Sequence, residues 1–358
     1  MGHEGAPQNR PTRIRDGVAA NVSADVTMRP RDERLDALKG VAILLVVLSH
    51  ALQHRAVGVP PLLGVVSSVS MPLFAYLSGI AAGYSRERPF WERVRHKATS
   101  LLVPYLAWGC IYLLLYGLPS AESSGPVWIR CVSVVAQGPW YLAALFIFDL
   151  AVYPVRARTG RLVRFLPAVV MVFTAYGLSR VSCFGGWLLW PNMAKLLPLF
   201  VVGYLMSVDS RWKQSAARVR SPILICVYVV ALVVLWPAWA GSRLLALLAA
   251  NGVADSAWEP VTTLVEYVFT FSAGLSAAVV IERVLRHAGP SHFIEALRRI
   301  GSYSLGIYVM HPIVIRAWDG KGLTAVIGSF VVASAASLLV SVLLAQSRPL
   351  RTLLLGGR

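Results

Sequence analysis

The feature that most constrains this chain is a series of long apolar segments separated by short polar connections. Only 14% of its 358 residues are charged and 56% are hydrophobic, whereas soluble proteins carry about a quarter charged residues. Because a bilayer offers no hydrogen-bond partners to the backbone, apolar segments of about 20 residues cross it as α-helices. We therefore predict an all-α, polytopic membrane bundle of about ten transmembrane helices. The predicted spans are 38–52, 64–84, 99–118, 134–155, 163–180, 186–207, 222–240, 260–281, 302–318 and 323–345.

Lysine and arginine residues are confined almost entirely to alternate connections between these spans. Of the 34 such residues, 27 lie in the stretch up to Lys39, in every second connection and in the C-terminal tail. Six lie in the remaining connections, and Lys195 lies inside a span. Cytoplasmic loops carry an excess of Lys and Arg, so we predict that both termini are cytoplasmic. The net charge of +17 then encodes orientation and does not indicate nucleic acid binding.

The domain organisation follows from the shortness of the connections, which leave no room for a separate soluble domain. Residues 1–30 lack apolar periodicity and are rich in Arg, Pro, Gly and Asp, which is typical of a disordered cytoplasmic tail. Residues 31–346 are predicted to form one membrane domain, and residues 347–358 a short basic cytoplasmic tail. We expect a multi-pass protein of the plasma or inner membrane, in contact with the lipid bilayer.

The first predicted span carries ionisable side chains on one face. Lys39 and His50 are eleven positions apart, about three helical turns, so they point the same way with an offset of about 16 Å. Asp36 lies near the same face. Ionisable groups at membrane depth usually mark a function, and burial favours the neutral imidazole, which accepts a proton. The alternatives are a structural histidine, a Lys39 that only anchors the helix, and an Asp36 that pairs with Lys39 or Arg34.

A second cluster of charge precedes the third predicted span. Residues 86–97 contain four arginines, one lysine and one histidine, and Arg93, Arg95 and Lys97 fall within the last five positions. Arginine binds phosphate bidentately and lysine binds it as a point charge. These three residues are therefore candidates for binding a phosphorylated nucleotide cofactor. The alternative is that the cluster only orients the protein in the membrane.

Further polar or helix-breaking residues lie within the predicted spans. Pro72 is expected to kink or interrupt the second span, and Trp140 and Tyr141 open the fourth at an interface where aromatic belts are common. His311 precedes a proline, so it is either a structural histidine beside a kink or part of a substrate pocket. The charged residues that remain at membrane depth are Asp149, Lys195 and Glu266, of which the last two are expected to form an ion pair.

Five short motifs occur in a characteristic order. They are Arg34-x-Asp36-x-x-Lys39-Gly40 with His50, Met71-Pro-Leu-Phe with Leu77-Ser-Gly79, Lys97 through Pro104-Tyr105, Trp140-Tyr141-Leu142, and Ile307-Tyr308-x-x-His311. Together they resemble the integral-membrane acyltransferase family 3, in the form seen in fucose-4-O-acetylase-like sugar O-acetyltransferases. Many members of that family have an Arg-x-x-Arg pair before the third helix. The corresponding frames here are Arg93-x-x-His96 and Val94-x-x-Lys97.

The resemblance implies transfer of an acyl group, usually acetyl, from acyl-CoA to a hydroxyl group of a sugar or glycolipid. With the spacing described above, it places the CoA phosphates on Arg93, Arg95 and Lys97, close to Lys39. The catalytic residues would be His50, Lys39 and Asp36, and no metal is expected. The substrate pocket would contain Trp140, Tyr141, Tyr308 and His311.

The role expected of His50 is that of a base which removes the proton of the acceptor hydroxyl. An acetyl-histidine relay, with the acceptor arriving from the outer side, fits its position equally well. Asp36 lies about 21 Å from His50 along the helix, so another span must supply the residue that orients the ring. Asp149, Glu266 and Tyr308 are the candidates.

Two other functions compete with acyl transfer. A transporter or flippase for a lipid-linked sugar would also have many spans, buried charges and broken helices, although no matched pair of broken helices is visible in two halves of the sequence. A non-catalytic scaffold of a cell-envelope complex leaves the buried stripe from Lys39 to His50 unexplained. Neither rival requires CoA.

Overall fold

The computed structural model describes residues 1–2, 33–57, 61–86, 88–117, 127–156, 190–235 and 255–357. Within these ranges all regular structure is helical, as the all-α prediction requires. The helices are α1 (Glu33–Arg55), α2 (Pro61–Tyr84), α3 (Phe90–Lys97), α4 (Val103–Tyr116), α5 (Val127–Gln137), α6 (Trp140–Ala151), α7 (Tyr153–Arg156), α8 (Trp190–Val208), α9 (Ser210–Arg218), α10 (Ser221–Val230), α11 (Asp255–His287), α12 (His292–Ser302), α13 (Ser304–Ala317), α14 (Leu323–Gln346) and α15 (Arg348–Leu355).

Five helical segments in the described ranges are long and apolar enough to cross a membrane. They are Glu33–Arg55, Leu62–Tyr84, Phe90–Tyr116, Tyr267–His287 and Leu323–Gln346. The number rises to seven if each of two bent helix pairs counts as one span. The predicted span 163–180 lies outside the described residues. The count of ten and the cytoplasmic termini therefore stay predictions, whereas a helical membrane protein is confirmed.

The third membrane segment begins earlier than the sequence indicates. α3 runs into α4 through a π-helical turn, Ala98–Leu102, so that one helical segment extends from Phe90 to Tyr116. The cations between Arg93 and Lys97 consequently lie on this helix and not in a preceding loop. Turns of π-helix inside α-helices are found frequently at functional sites.

The predicted fourth span, 134–155, is divided by a sharp bend. α5 ends at Gln137 and α6 begins at Trp140, and the two helices are inclined by 72°. Pro139 lies at this break with φ −85° and ψ 47°, outside the helical region, and it has no N–H to continue the helix. The bend places Trp140 and Tyr141 on the first turn of α6.

α1 packs against α2, α12, α13 and α14, and its crossing with α12 is unusually close. A Cβ atom at Gly40 would overlap the carbonyl oxygen of Leu297, and one at Gly301 would overlap the carbonyl oxygen of Asp36. Small residues allow helix backbones to approach one another in this way. The crossing fixes the N-terminal end of α1, which carries Asp36 and Lys39.

The C-terminal residues, assigned from sequence to a short basic tail, form α15 and pack against the third membrane segment. The indole Nε1 of Trp108 donates to the carbonyl oxygen of Leu354 at 3.0 Å. Leu355 is buried, and Gly356 adopts φ +66° where it meets the backbone of Ser100. The C-terminus thereby supports the π-helical turn beside the cationic residues of α3.

Candidate active site

The centre of the candidate site is a pair of histidines from two helices. The Nδ1 atom of His50 in α1 lies 2.6 Å from the Nε2 atom of His311 in α13. The two rings are stacked, with centroids 4.9 Å apart and an interplanar angle of 17°. His311 is fully buried. The hydrogen-bond partner of His50 Nδ1 is thus a residue that was not among the three candidates named from the sequence, Asp149, Glu266 and Tyr308.

The hydrogen bonds of His311 define which nitrogen atoms carry protons. The Nδ1 atom of His311 lies 2.9 Å from the carbonyl oxygen of Ile307, and a carbonyl oxygen only accepts, so this nitrogen is the donor. In a neutral His311 ring, Nε2 is then the acceptor and His50 Nδ1 must donate to it. The Nε2 atom of His50 is left without a proton, which makes it the basic atom of the pair.

His50 and His311 lie at the wall of a cavity of about 480 Å³, here called the histidine cavity. This volume is within the range of about 300–1,000 Å³ typical of small-molecule sites. His54, one turn beyond His50, borders the same cavity, and the two ring centroids are 6.4 Å apart. The remaining lining residues include Met71, Tyr112, Tyr116, Trp140, Tyr308 and Arg316.

A second cavity, here called the cationic cavity, has a volume of about 280 Å³. Its basic lining residues are Lys39, Arg86, Arg88, Arg93, His96 and Lys97. Lys39 Nζ lies 3.3 Å from Asp36 Oδ1, so the predicted pairing of these two residues is present. Lys39 therefore borders the cationic cavity and His50 borders the histidine cavity, although both are on α1.

Arg93 and Lys97 are held by one buried carboxylate from α6. Arg93 donates to both oxygens of Asp149, at 2.6 and 2.8 Å, and Lys97 Nζ lies 2.9 Å from Asp149 Oδ1. The side chains of Arg93 and Asp149 are each only 2% exposed. Two cations around one anion leave a net positive charge at the cavity wall. Arg95 is exposed and is not among the residues that line the cavity.

The two cavities meet at a pair of tyrosines, here called the tyrosine partition (Tyr141 and Tyr308). Tyr308 lines both cavities, and Tyr141 lines the cationic one. The backbone N–H of Tyr141 donates to the Tyr308 hydroxyl at 3.2 Å, and the two rings are 6.0 Å apart. Trp140, beside Tyr141 in the chain, lines the histidine cavity. The bend before α6 thus places successive aromatic side chains on different cavities.

Most of the predicted site residues therefore line one of two cavities, whereas Asp36 and Arg95 line neither. The cationic cavity collects Lys39, Arg93, Lys97 and Tyr141, and the histidine cavity collects His50, His311 and Trp140. Arg86, Arg88 and His96 also line the cationic cavity; their place in the same charged stretch was the available sequence signal. The predicted pair of Lys195 with Glu266 is not described, since the Glu266 side chain lies outside the described residues.

Apolar helices able to cross a membrane and a histidine pair at the wall of a cavity indicate a membrane protein with an enzyme-like site. The comparison with known families gives the class: the acyltransferase family 3 model, described as an acyltransferase domain, matches residues 32–346. The chain belongs to this family.

One relative of this chain is nodulation protein NolL of Mesorhizobium japonicum (strain LMG 29417 / CECT 9101 / MAFF 303099), which is 25% identical over 212 residues. The aligned region covers 56% of this chain and 54% of the relative, so the chain spans about half the length of that protein. No solved structure matches the chain.

Proposed function

We propose that this acyltransferase moves an acetyl group from acetyl-CoA to a hydroxyl group of a sugar in a cell-envelope glycan, glycolipid or glycosylated metabolite. The observation that carries this proposal is the hydrogen-bonded pair of His50 and His311. It lies at the wall of one cavity that meets a second, cation-lined cavity at Tyr308. This arrangement supports the proposal, because the candidate base and the cation-lined cavity lie on either side of one partition.

The donor side is supported by the charge of the cationic cavity. The phosphate groups of CoA are bound well by guanidinium groups, which hold phosphate bidentately, and by lysine ammonium groups. Asp149 fixes Arg93 and Lys97 in place without cancelling their combined charge. Arg86, Arg88 and Lys39 add further positive charge around the same space. The cationic cavity lies at the Lys39 end of α1, and the distribution of Lys and Arg predicts that this end is on the cytoplasmic side.

The chemistry begins when His50 Nε2 accepts the proton of the acceptor hydroxyl. The hydroxyl oxygen then forms a bond to the thioester carbonyl carbon, the carbon–sulfur bond breaks, and the CoA thiolate leaves. The imidazolium returns its proton to the thiolate. General-base assistance of this kind contributes about 10² to 10⁴ in rate. His311 supports the step, because its Nε2 accepts the hydrogen bond from His50 Nδ1 and stabilises the imidazolium.

Replacement of the base tests the proposed reaction. Membranes that contain the His50→Ala variant are expected to lose transfer of radiolabelled acetyl from acetyl-CoA to membrane glycan by at least about 100-fold. The matched control is His292→Ala, which replaces an exposed histidine that lines neither cavity. Gel filtration in detergent checks that both variants fold.

Near-normal acetylation by the His50→Ala membranes would refute the mechanism. Absence of any acetyl transfer by the unaltered protein, in cells that naturally contain it, would refute the proposed function. A transporter or flippase of a lipid-linked sugar would give that second result, since it does not consume acetyl-CoA. The experiment therefore separates acyl transfer from both rival functions.

A further inference from the structure

The histidine cavity is bordered by one permanent charge, the guanidinium group of Arg316, and by no acidic side chain among the described residues. His54 and His50 line it as well. Arg316 forms no ion pair with a carboxylate in the described part of the chain. Arg316 lies near the His50 end of α1, on the predicted outer side of the membrane. Only six of the 34 lysines and arginines fall on that side. The excess of cations in cytoplasmic loops therefore does not account for Arg316.

A structural role at the end of α13 does not account for Arg316 either. A cation near a helix C-terminus is stabilising because it binds the last carbonyl groups, but Arg55 already supplies that contact. Its Nη2 atom donates to the carbonyl oxygens of Ile315 and Arg316, at 2.6 and 3.3 Å. The side chain of Arg316 instead lies over the ring of Tyr116, with 4.7 Å between the guanidinium carbon and the ring centroid.

Arg316 has donors to spare for an anion. It lies over the Tyr116 ring and hydrogen-bonds the Tyr116 side chain, but a guanidinium group carries five N–H donors. His54 borders the same cavity and lies 6.4 Å from His50, measured between ring centroids. That separation is one that a single sugar ring with its substituents can bridge. Trp140, at the same cavity, offers an aromatic surface for such a ring.

We propose that the acceptor carries an anionic group, a carboxylate or a phosphate, next to the hydroxyl that is acylated, and that Arg316 and His54 bind this group. The inference rests on the proposed function and adds the chemical class of the acceptor. The sugar ring would then lie between the basic nitrogen of His50 and the side chains of Arg316 and His54. Arg316 is exposed at the cavity, so its guanidinium group is accessible to such an anion.

The test uses cells that naturally contain the chain, and radiolabelled acetyl-CoA as the probe. Labelled glycans are extracted from their membranes and separated by anion exchange into anionic and neutral pools. We expect most of the label in the anionic pool. Treatment with phosphatase, or carbodiimide-mediated reduction of carboxylates, before the separation shows which of the two anions is present, because only the matching treatment moves label to the neutral pool.

Three variants connect the charge of the acceptor to Arg316. Arg316→Gln is expected to lower label in the anionic pool about tenfold or more, since hydrogen bonds to charged groups are worth about 1.5–3 kcal/mol, and tenfold corresponds to about 1.4 kcal/mol. Arg316→Lys should retain part of the activity. Lys321→Gln, which removes an exposed cation that lines neither cavity, should stay within twofold of the unaltered protein.

The outcomes separate this inference from the proposed function. Label found chiefly in the neutral pool would overturn the inference and leave acyl transfer intact. The same conclusion would follow if the label that Arg316→Gln transfers to the anionic pool stayed within twofold of that of the unaltered protein. Absence of label in every pool would refute acyl transfer and the inference together. An equal loss of label from both pools in Arg316→Gln and Arg316→Lys would mean that Arg316 is structural, and would also overturn the inference.

Discussion

At the scale of single residues, the proposed activity depends on the hydrogen bond between His50 and His311. The Nδ1 atom of His311 donates a hydrogen bond to the carbonyl oxygen of Ile307, one turn earlier in α13. Its Nε2 atom therefore accepts the hydrogen bond that His50 Nδ1 donates. A partner that fixes the tautomer of a base also fixes which nitrogen faces the substrate. His311 is therefore a positioning residue for His50, in addition to any contact it makes with substrate.

Replacement of His311 measures this positioning role. His311→Ala is expected to lower kcat for acetyl transfer at least about tenfold, with little change in the KM for acetyl-CoA. The loss should be smaller than the factor of about 10² to 10⁴ that the base itself contributes, because His50 is still present. His311→Gln should recover part of the loss, because a glutamine side-chain oxygen can accept the hydrogen bond from His50. Steady-state kinetics on detergent-solubilised protein give both constants.

The comparison between the two substitutions distinguishes orientation from packing. A purely structural role would make His311→Gln as inactive as His311→Ala or would raise the KM for acetyl-CoA in both. A kcat within twofold of the unaltered value in His311→Ala would show that the hydrogen bond has no role in catalysis.

At the scale of helices, the cationic cavity depends on the contact between α3 and α6. The sequence indicated Arg93 and Lys97, because cations crowd the residues before the third span, but it did not indicate their partner. Asp149 is 56 positions from Arg93, and a pairing over that separation depends on how the helices pack. The bend at Pro139 sets the direction of α6 and thereby brings the carboxylate to α3.

Removal of the shared carboxylate is expected to destabilise the protein strongly. Asp149→Asn leaves the buried guanidinium of Arg93 without its bidentate partner, and breaking a buried ion pair in this way costs about 3–5 kcal/mol. The control is Glu92→Gln, which breaks the exposed pair of Arg88 with Glu92 and should cost less than about 1 kcal/mol. Thermal unfolding in detergent measures both.

A double substitution sharpens this prediction. Arg93→Met together with Asp149→Leu removes both charges, so its Tm should exceed that of Asp149→Asn although its activity is lost. Equal Tm values for Asp149→Asn and the unaltered protein would show that the contact between α3 and α6 does not depend on this ion pair.

At the scale of the whole molecule, the two ends of α1 border different cavities, the cationic cavity at Lys39 and the histidine cavity at His50. The distribution of Lys and Arg and the stripe from Lys39 to His50 were readable from the sequence, because both depend on helical periodicity and local charge. The sequence does not show where the helices break or that two cavities meet at Tyr308, because both depend on contacts among α1, α2, α6 and α13. The residues on α1 could therefore be predicted from the sequence, whereas the tyrosine partition that separates the two cavities could not.

The tyrosine partition predicts how the enzyme limits hydrolysis of its donor. Tyr308 lies between the cationic cavity and the histidine cavity, and its ring is held by the hydrogen bond from the Tyr141 backbone. Loss of the ring joins the two cavities and admits water to the thioester, and exclusion of water is what protects reactive groups in closed sites. Tyr308→Ala should therefore raise the ratio of acetyl-CoA hydrolysis to acetyl transfer about tenfold or more.

Tyr308→Phe is the matched control, because it keeps the ring and removes only the hydroxyl that accepts from Tyr141. Its ratio of hydrolysis to transfer should stay close to that of the unaltered protein, while the unsatisfied N–H of Tyr141 costs about 1–3 kcal/mol in stability. Release of CoA, detected with a thiol reagent, and labelled glycan from the same reaction give the ratio directly. An unchanged ratio in Tyr308→Ala would mean that the side chain of Tyr308 does not separate the two cavities during turnover, and that water is excluded elsewhere along the donor's path.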